Sequence, residues 1–186
     1  MPEAHQQANT KGIGIYWLRM VINSFGRDAD QNMSNNLSAE DYQLYRNLMP
    51  MSWVAEDTAV RIYEAAGNII YADATNVLYQ VGYGMASANL STTYKVLIRF
   101  ATISYVLTQA SRLWRTYHDT GEAKAYSGEQ KNSVIFSVID FPGLPIKMRQ
   151  VLREYVAGLS KICGVKNGYV TLDESNPQFW KWILTW

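Results

Sequence analysis

The chain has 186 residues, 48% of them apolar and 18% charged, with a net charge of +1; that is enough for one domain with its own core and the wrong balance for disorder. Acids and bases are interspersed without a basic stripe, which argues against a nucleic-acid partner. Cys163 is the single cysteine, which excludes an internal disulfide and a cysteine-paired metal site.

Residues 1–11 read as a flexible tail, and residues 12–186 as a single domain. The start, "MPEAHQQANTKG", has no apolar segment and does not read as a signal peptide. No apolar run approaches the roughly 18 residues a membrane helix needs, so the expected location is the cytosol. "IGIYWLRMVINSFG" places Ile15, Leu18, Val21, Ile22 and Phe25 at helical spacing, with Gly26 as the stop. "RDADQNMSNN" reads as a polar connection. "LSAEDYQLYRNLM" is a helix with Ser38 as its N-cap, ended near Pro50.

"SWVAEDTAVRIYEAAGNIIY" reads as the next helix, with Glu56 and Asp57 suited to the positive end of its dipole and Gly67 allowing a close neighbour. A further helix follows in "ATNVLYQVGYGMASANL", whose Gly82, Gly84, Ala86 and Ala88 predict tight packing. "STTYKVLIRFATISYVLTQASRLWRTYHDTG" is one long helical stretch, or two broken between Arg99 and Thr102, with Thr102 a second cap and Gly121 the stop.

The periodicity then changes from helical to alternating. "EAKAYSGEQKNSVIFSVIDFP" reads as two strands around Gly128, the second apolar on both faces and so expected to be covered on both. "LPIKMRQVLREYVAGLSKICG" is a helix ended by Gly164, and "NGYVTLDESNPQFWKWILTW" a terminal hairpin. The class is therefore α+β: an N-terminal helical layer on a C-terminal four-stranded antiparallel sheet with one inserted helix. Alternation along the last strand puts Trp180, Trp182, Leu184 and Trp186 on one face, as core, as the wall of a ligand cavity or as a dimer seam.

"KGIGIYWLRMVINSFG", "MSWVAEDTAVRIYEAAGNIIY" and "RLWRTYHDTG", with the strand-strand-helix-strand-strand tail, resemble an uncharacterised bacterial family. That family is distantly similar to haem-NO-binding (H-NOX) domains, in one fold group with 4-vinyl-reductase-type ligand-binding domains and TRAPP subunits. The resemblance runs from Lys11 to Trp186. It implies a helical layer over an antiparallel sheet, a binding or scaffolding role, an apolar guest in several members, and frequent dimers.

Within that resemblance the sequence argues against haem and leaves no cofactor. The proximal histidine of H-NOX domains corresponds to the region of Thr108, Gln109 and Ala110, which are poor ligands. His5 lies in the tail, and His118 in "YHDTG" reads as a helix-end residue facing the negative dipole end. The Tyr-x-Ser-x-Arg motif that grips haem propionates is missing; "FPGLP" stands where it is expected.

No nucleophile elbow, Walker lysine or zincin motif is present, and "GIGIYW" lacks the preceding strand of a dinucleotide fingerprint. The carboxylate pairs Glu56–Asp57, Asp28–Asp30 and Asp173–Glu174 read as helix-start or turn chemistry rather than an acid/base dyad. The expected role is non-enzymatic: a haem-free, dimeric, cytosolic sensor or adaptor that binds a hydrophobic small molecule or a protein partner. Tyr94, Trp114, Tyr117, Trp180 and Trp182 are the expected cavity or seam residues, and Tyr79, Tyr83, Tyr105 and Tyr155 are further tyrosines on helices facing the sheet. The alternatives are a TRAPP-like structural module with a filled core, and a small enzyme using Cys163 with His118.

Overall fold

The computed structural model describes residues 7–88 and 101–186. Asn9–Lys11 form a strand, β1, paired antiparallel with β2, Trp53–Ala55. Between and after them run helices α1 (Ile13–Ser24), α2 (Arg27–Asn36), α3 (Ala39–Asn47), α4 (Glu56–Ile70) and α5 (Val77–Ala88). Helix α6, Ile103–Tyr117, leads into strands β3 (Glu122–Ser127) and β4 (Ser133–Ile139). Helix α7, Ile146–Ile162, precedes β5 (Tyr169–Asp173) and β6 (Phe179–Thr185). The four later strands make one antiparallel sheet in the order β3-β4-β6-β5.

The sheet has one inner face, set by alternation. Trp180, Trp182 and Leu184 are buried along β6 while Phe179, Lys181 and Ile183 between them are half-exposed. Val134, Phe136 and Val138 continue that face on β4. Helices α6 and α7 lie against it, and α5 lies against α7. The α5–α7 crossing is close because glycines form it: a methyl group on Gly82 would stand 2.3 Å from the Val151 carbonyl oxygen. One on Gly158 would stand 2.7 Å from the Ala86 Cβ. Helices α1, α3 and α4 supply the remaining core through Ile15, Leu18, Ile22, Tyr45 and Ile62, all fully buried.

The local signals explain the boundaries. Ser38 Oγ accepts from the Asp41 backbone N–H at 3.1 Å, and Thr102 Oγ1 from that of Tyr105 at 3.3 Å, capping α3 and α6 as their sequences predict. Gly121 sits at φ +75°, and a side chain there would collide with Phe141 and the Ile139 carbonyl. That turn swings the chain from α6 onto β3.

Several expectations are corrected. The polar run at Arg27–Asn36 is helical: Ala29 and Met33, one turn apart, bury against the layer and suffice to hold it. Residues 9–11 are not tail, because β1 hydrogen-bonds to β2. Trp53 does not open α4; it lies in β2, 45% exposed, with the Lys11 ammonium 3.5 Å above its ring. Trp186 follows β6 and is 36% exposed rather than core. Strand β4 is fully covered on its inner face only, since Ile135 and Ile139 on the outer face stay half-exposed. Among the described residues, no helix is long and apolar enough to cross a membrane.

Candidate functional site

The most unusual chemistry lies where the two layers meet. Glu56 is the first residue of α4 and only 2% exposed. It shares the helix stripe of Val60 and Tyr63, four and seven positions on, so its carboxylate points inward. His118 follows α6, its backbone N–H closing the helix on the Trp114 carbonyl. The two side chains meet: His118 Nδ1 is 2.7 Å from Glu56 Oε1, with both residues buried.

Strand β1 holds this junction. The Glu56 N–H donates to the Ala8 carbonyl at 3.0 Å, and Thr10 bridges to His118. Asn9 donates from its backbone and its side chain to the Asp119 carboxylate at 2.8 and 2.7 Å, and the Asp119 N–H returns to the Asn9 carbonyl. Burial pushes the Asp119 carboxyl up, but the bonds from Asn9 and Thr120 outweigh it and hold the group below its ordinary value.

The ring of His118 stacks on Trp114, with centroids 3.9 Å apart and planes at 12°. Trp114 in turn meets Phe136, and Phe136 meets Trp182, at centroid distances of 6.2 and 5.9 Å. An aromatic chain therefore runs from the His118–Glu56 pair to the centre of the sheet. Glu56 Oε2 has no hydrogen-bond partner among the described residues. Burial, and then the nearby Glu56 carboxylate, push the Tyr63 hydroxyl above its ordinary range. A histidine held by a carboxylate at Nδ1 is the arrangement in which Nε2 can bind a metal.

The expected site residues divide. Trp114 and Trp182 join through Phe136. Trp180 lies apart, its Nε1 donating to the Phe141 carbonyl at 2.7 Å under the Arg149 guanidinium, 3.7 Å from the ring. Tyr117 is half-buried, and its carbonyl accepts from Thr10 Oγ1. Tyr94 lies outside the described residues. Of the other tyrosines, Tyr105 is 59% exposed, while Tyr79 and Tyr83 lie under Arg153 and Lys161.

Cys163 ends α7, and burial pushes its thiol up to about 11, the direction opposite to a reactive thiolate. Glu56 is what the sequence reading missed; its signal was a carboxylate on the apolar stripe of α4.

Two clefts open in the N-terminal helices. One, of about 480 Å³, is bordered by Leu37, Ser38, Asp41 and Arg61, where Arg61 grips Asp41 through two bonds of 2.7 and 2.9 Å. The other, of about 540 Å³, is bordered by Arg27, Asp30 and Arg46.

No family model matches the chain, and no curated protein matches it. Solved structures do. An H-NOX domain from K. algicida, an Fe(II) unliganded mutant, superposes with a TM-score of 0.63 at 12% identity, over 94% of this chain and 95% of that one. An oxygen-binding H-NOX domain related to soluble guanylate cyclases gives 0.59 at 13% identity, over 94% and 91%. A structure concerned with heme redox potential and porphyrin distortion gives 0.60 at 15% identity, over 95% and 99%. The fold is thus that of H-NOX domains, at an identity that speaks for the fold alone.

These neighbours correct the expectation that argued haem away. That reading placed the axial donor near Thr108, Gln109 and Ala110 and weighed His118 only as a helix-end residue. His118 does cap α6, and it is also buried with a carboxylate on Nδ1, donor chemistry that fits a histidine binding iron through Nε2.

Proposed function

We propose that the chain is a ligand-binding sensor domain that works as a homodimer and passes its state to a partner protein, without catalysing a reaction itself. The observation that carries this reading is the superposition on H-NOX structures along 94–95% of the chain. The guest is an apolar small molecule held between helices and sheet, with Trp114, Tyr117, Trp180 and Trp182 as lining. Haem is the first guest to test. His118 would hold it through Nε2, and Glu56 would fix the ring through Nδ1. When bound, haem supplies an iron that takes a small gaseous ligand. The junction of β1, α4 and α6 supports a signalling role, because a ligand pulling on His118 moves a group shared by both layers.

The test is optical. Titration of the purified protein with haemin is expected to give a Soret band saturating at one haem per chain, shifted or lost in His118→Ala. Saturation without any change in His118→Ala would remove His118 from this role.

A second reading is a structural interaction module without a ligand. It is favoured by the aromatic chain Trp114–Phe136–Trp182, whose rings meet one another between α6 and the sheet. Absence of both a Soret band and any retained small molecule would favour it.

A further inference from the structure

Where β1 leads into α1, the turn between α3 and β2 packs beside it and exposes a patch of apolar side chains. Met49 and Met51 in that turn are 66% and 52% exposed, and Trp53 just after it is exposed as well. Exposed Tyr16 and Met20, one helical turn apart on α1, continue the surface. Hydrogen bonds join the two parts. The Gly12 N–H donates to the Ser52 carbonyl at 2.9 Å, Lys11 Nζ to the Met51 carbonyl at 2.7 Å, and Arg19 to the Leu48 carbonyl at 3.1 Å. Side chains of this size, about half exposed, together present on the order of 500 Å², within the range at which a monomer's largest apolar patch is often functional.

We propose that this surface docks on the headgroup layer of an anionic lipid membrane. The first observation that selects this occupant is charge. Lys11 and Arg19 border the patch, and α1 carries no acid. Among the described residues neither cation is ion-paired with a carboxylate. An anionic surface complements both.

The second is the backbone. A lipid interface has little to offer an unpaired peptide group, so a segment that enters it must satisfy its own. The carbonyls of Leu48, Met49, Met51 and Ser52 already accept bonds from Arg19, Ser52, Lys11 and Gly12 in turn. Pro50, between the two methionines, has no N–H to satisfy. A protein partner would find few of the turn's carbonyls free.

The third is the pairing of rings with cations. The Lys11 ammonium stands 3.5 Å above the Trp53 ring, and the Arg19 guanidinium 5.2 Å from that of Tyr16. Tryptophan and tyrosine beside lysine and arginine suit the depth where acyl chains meet phosphates. The methionines supply the apolar part. Two cations and a few side chains make the attachment shallow and reversible.

The test is co-sedimentation of the purified full chain with vesicles, and it needs no bound guest. Binding is expected on phosphatidylcholine containing about one-third phosphatidylglycerol, and at least about tenfold weaker binding on phosphatidylcholine alone. Replacing both methionines, Met49→Ser with Met51→Ser, should weaken binding at least about tenfold. Lys11→Gln should weaken it about fivefold. Ile146→Ser, at an exposed apolar position at the start of α7, should leave it unchanged. Circular dichroism spectra of all the variants should match that of the parent.

Failure to bind either vesicle overturns the assignment and leaves the patch to a protein partner. Equal binding to both vesicles, or full binding by the double methionine variant, overturns it too. A dimer by light scattering that the double variant dissolves gives the patch to a second copy of the chain instead.

Discussion

Glu56 and His118 stand 62 positions apart in the chain and 2.7 Å apart in space, both buried. One begins a helix of the N-terminal layer, and the other ends the helix that lies on the sheet. Their contact ties the layers at the point where β1 crosses, so changes there report on the junction as well as on local stability.

Removing one member of this pair should cost far more than softening it. His118→Ala leaves the Glu56 carboxylate buried without a partner, and a loss of about 3 kcal/mol or more is expected. Glu56→Gln keeps a hydrogen-bonding group at the same place and should cost about 1 kcal/mol. Urea unfolding of both variants checks the order; equal losses would mean that the contact carries no coupling.

The α5–α7 crossing leaves no room for a methyl group. Gly82→Ala would force its Cβ against the Val151 carbonyl, a backbone atom that cannot swing away. A loss of about 2–3 kcal/mol is expected, measured by the shift in melting temperature. Gly143→Ala, where nothing stands within 4 Å of the added carbon, is the matched control and should change little.

Tyr45 supplies a prediction of opposite sign. It is fully buried, and its hydroxyl has no partner among the described residues. Burial, then the Asp30 carboxylate, push that hydroxyl up to about 12. Tyr45→Phe removes an unsatisfied polar group and should leave stability unchanged or raise it by up to about 1 kcal/mol. A clear loss on thermal denaturation would show that the hydroxyl is satisfied.

Asp119 links the junction to acidity. Its folded value is depressed by the bonds from Asn9 and Thr120 that outweigh its burial. Its contribution is therefore complete above the unfolded carboxylate value of about 3.9 and is lost as pH falls through the folded value. Asp119→Asn should cost about 1 kcal/mol at neutral pH through weakened bonds to Asn9 and should flatten the acid limb of stability below about pH 4. Melting temperature followed from neutral to acid pH decides it; parallel curves for the two proteins would count against the linkage.

Much of the fold was legible because its signals are local. Alternation fixed the faces of β6, the caps Ser38 and Thr102 fixed two helix starts, and glycines marked the tight crossing. Helix α2 was hidden because two buried residues hold a helix whose other eight are polar or exposed. Strands β1 and β2 were hidden because three-residue pairings between distant segments leave no periodic trace. The site was less readable for the same reason. Glu56 looked like dipole chemistry at a helix start, and His118 like the end of another helix. Their meeting depends on how α4 and α6 are brought together by β1, which no short stretch encodes. The tryptophans were legible as core, but which of them share a neighbour was not: Phe136 connects Trp114 to Trp182 and leaves Trp180 with Arg149.

The central claim is that a small molecule occupies the space between helices and sheet. Native mass spectrometry of the full chain, purified without denaturation and then loaded with haemin, addresses it most directly. The account predicts a folded species heavier than the polypeptide by one guest per chain, retained from the cells or taken up as haem. The bare polypeptide mass alone, before and after haemin, would contradict it.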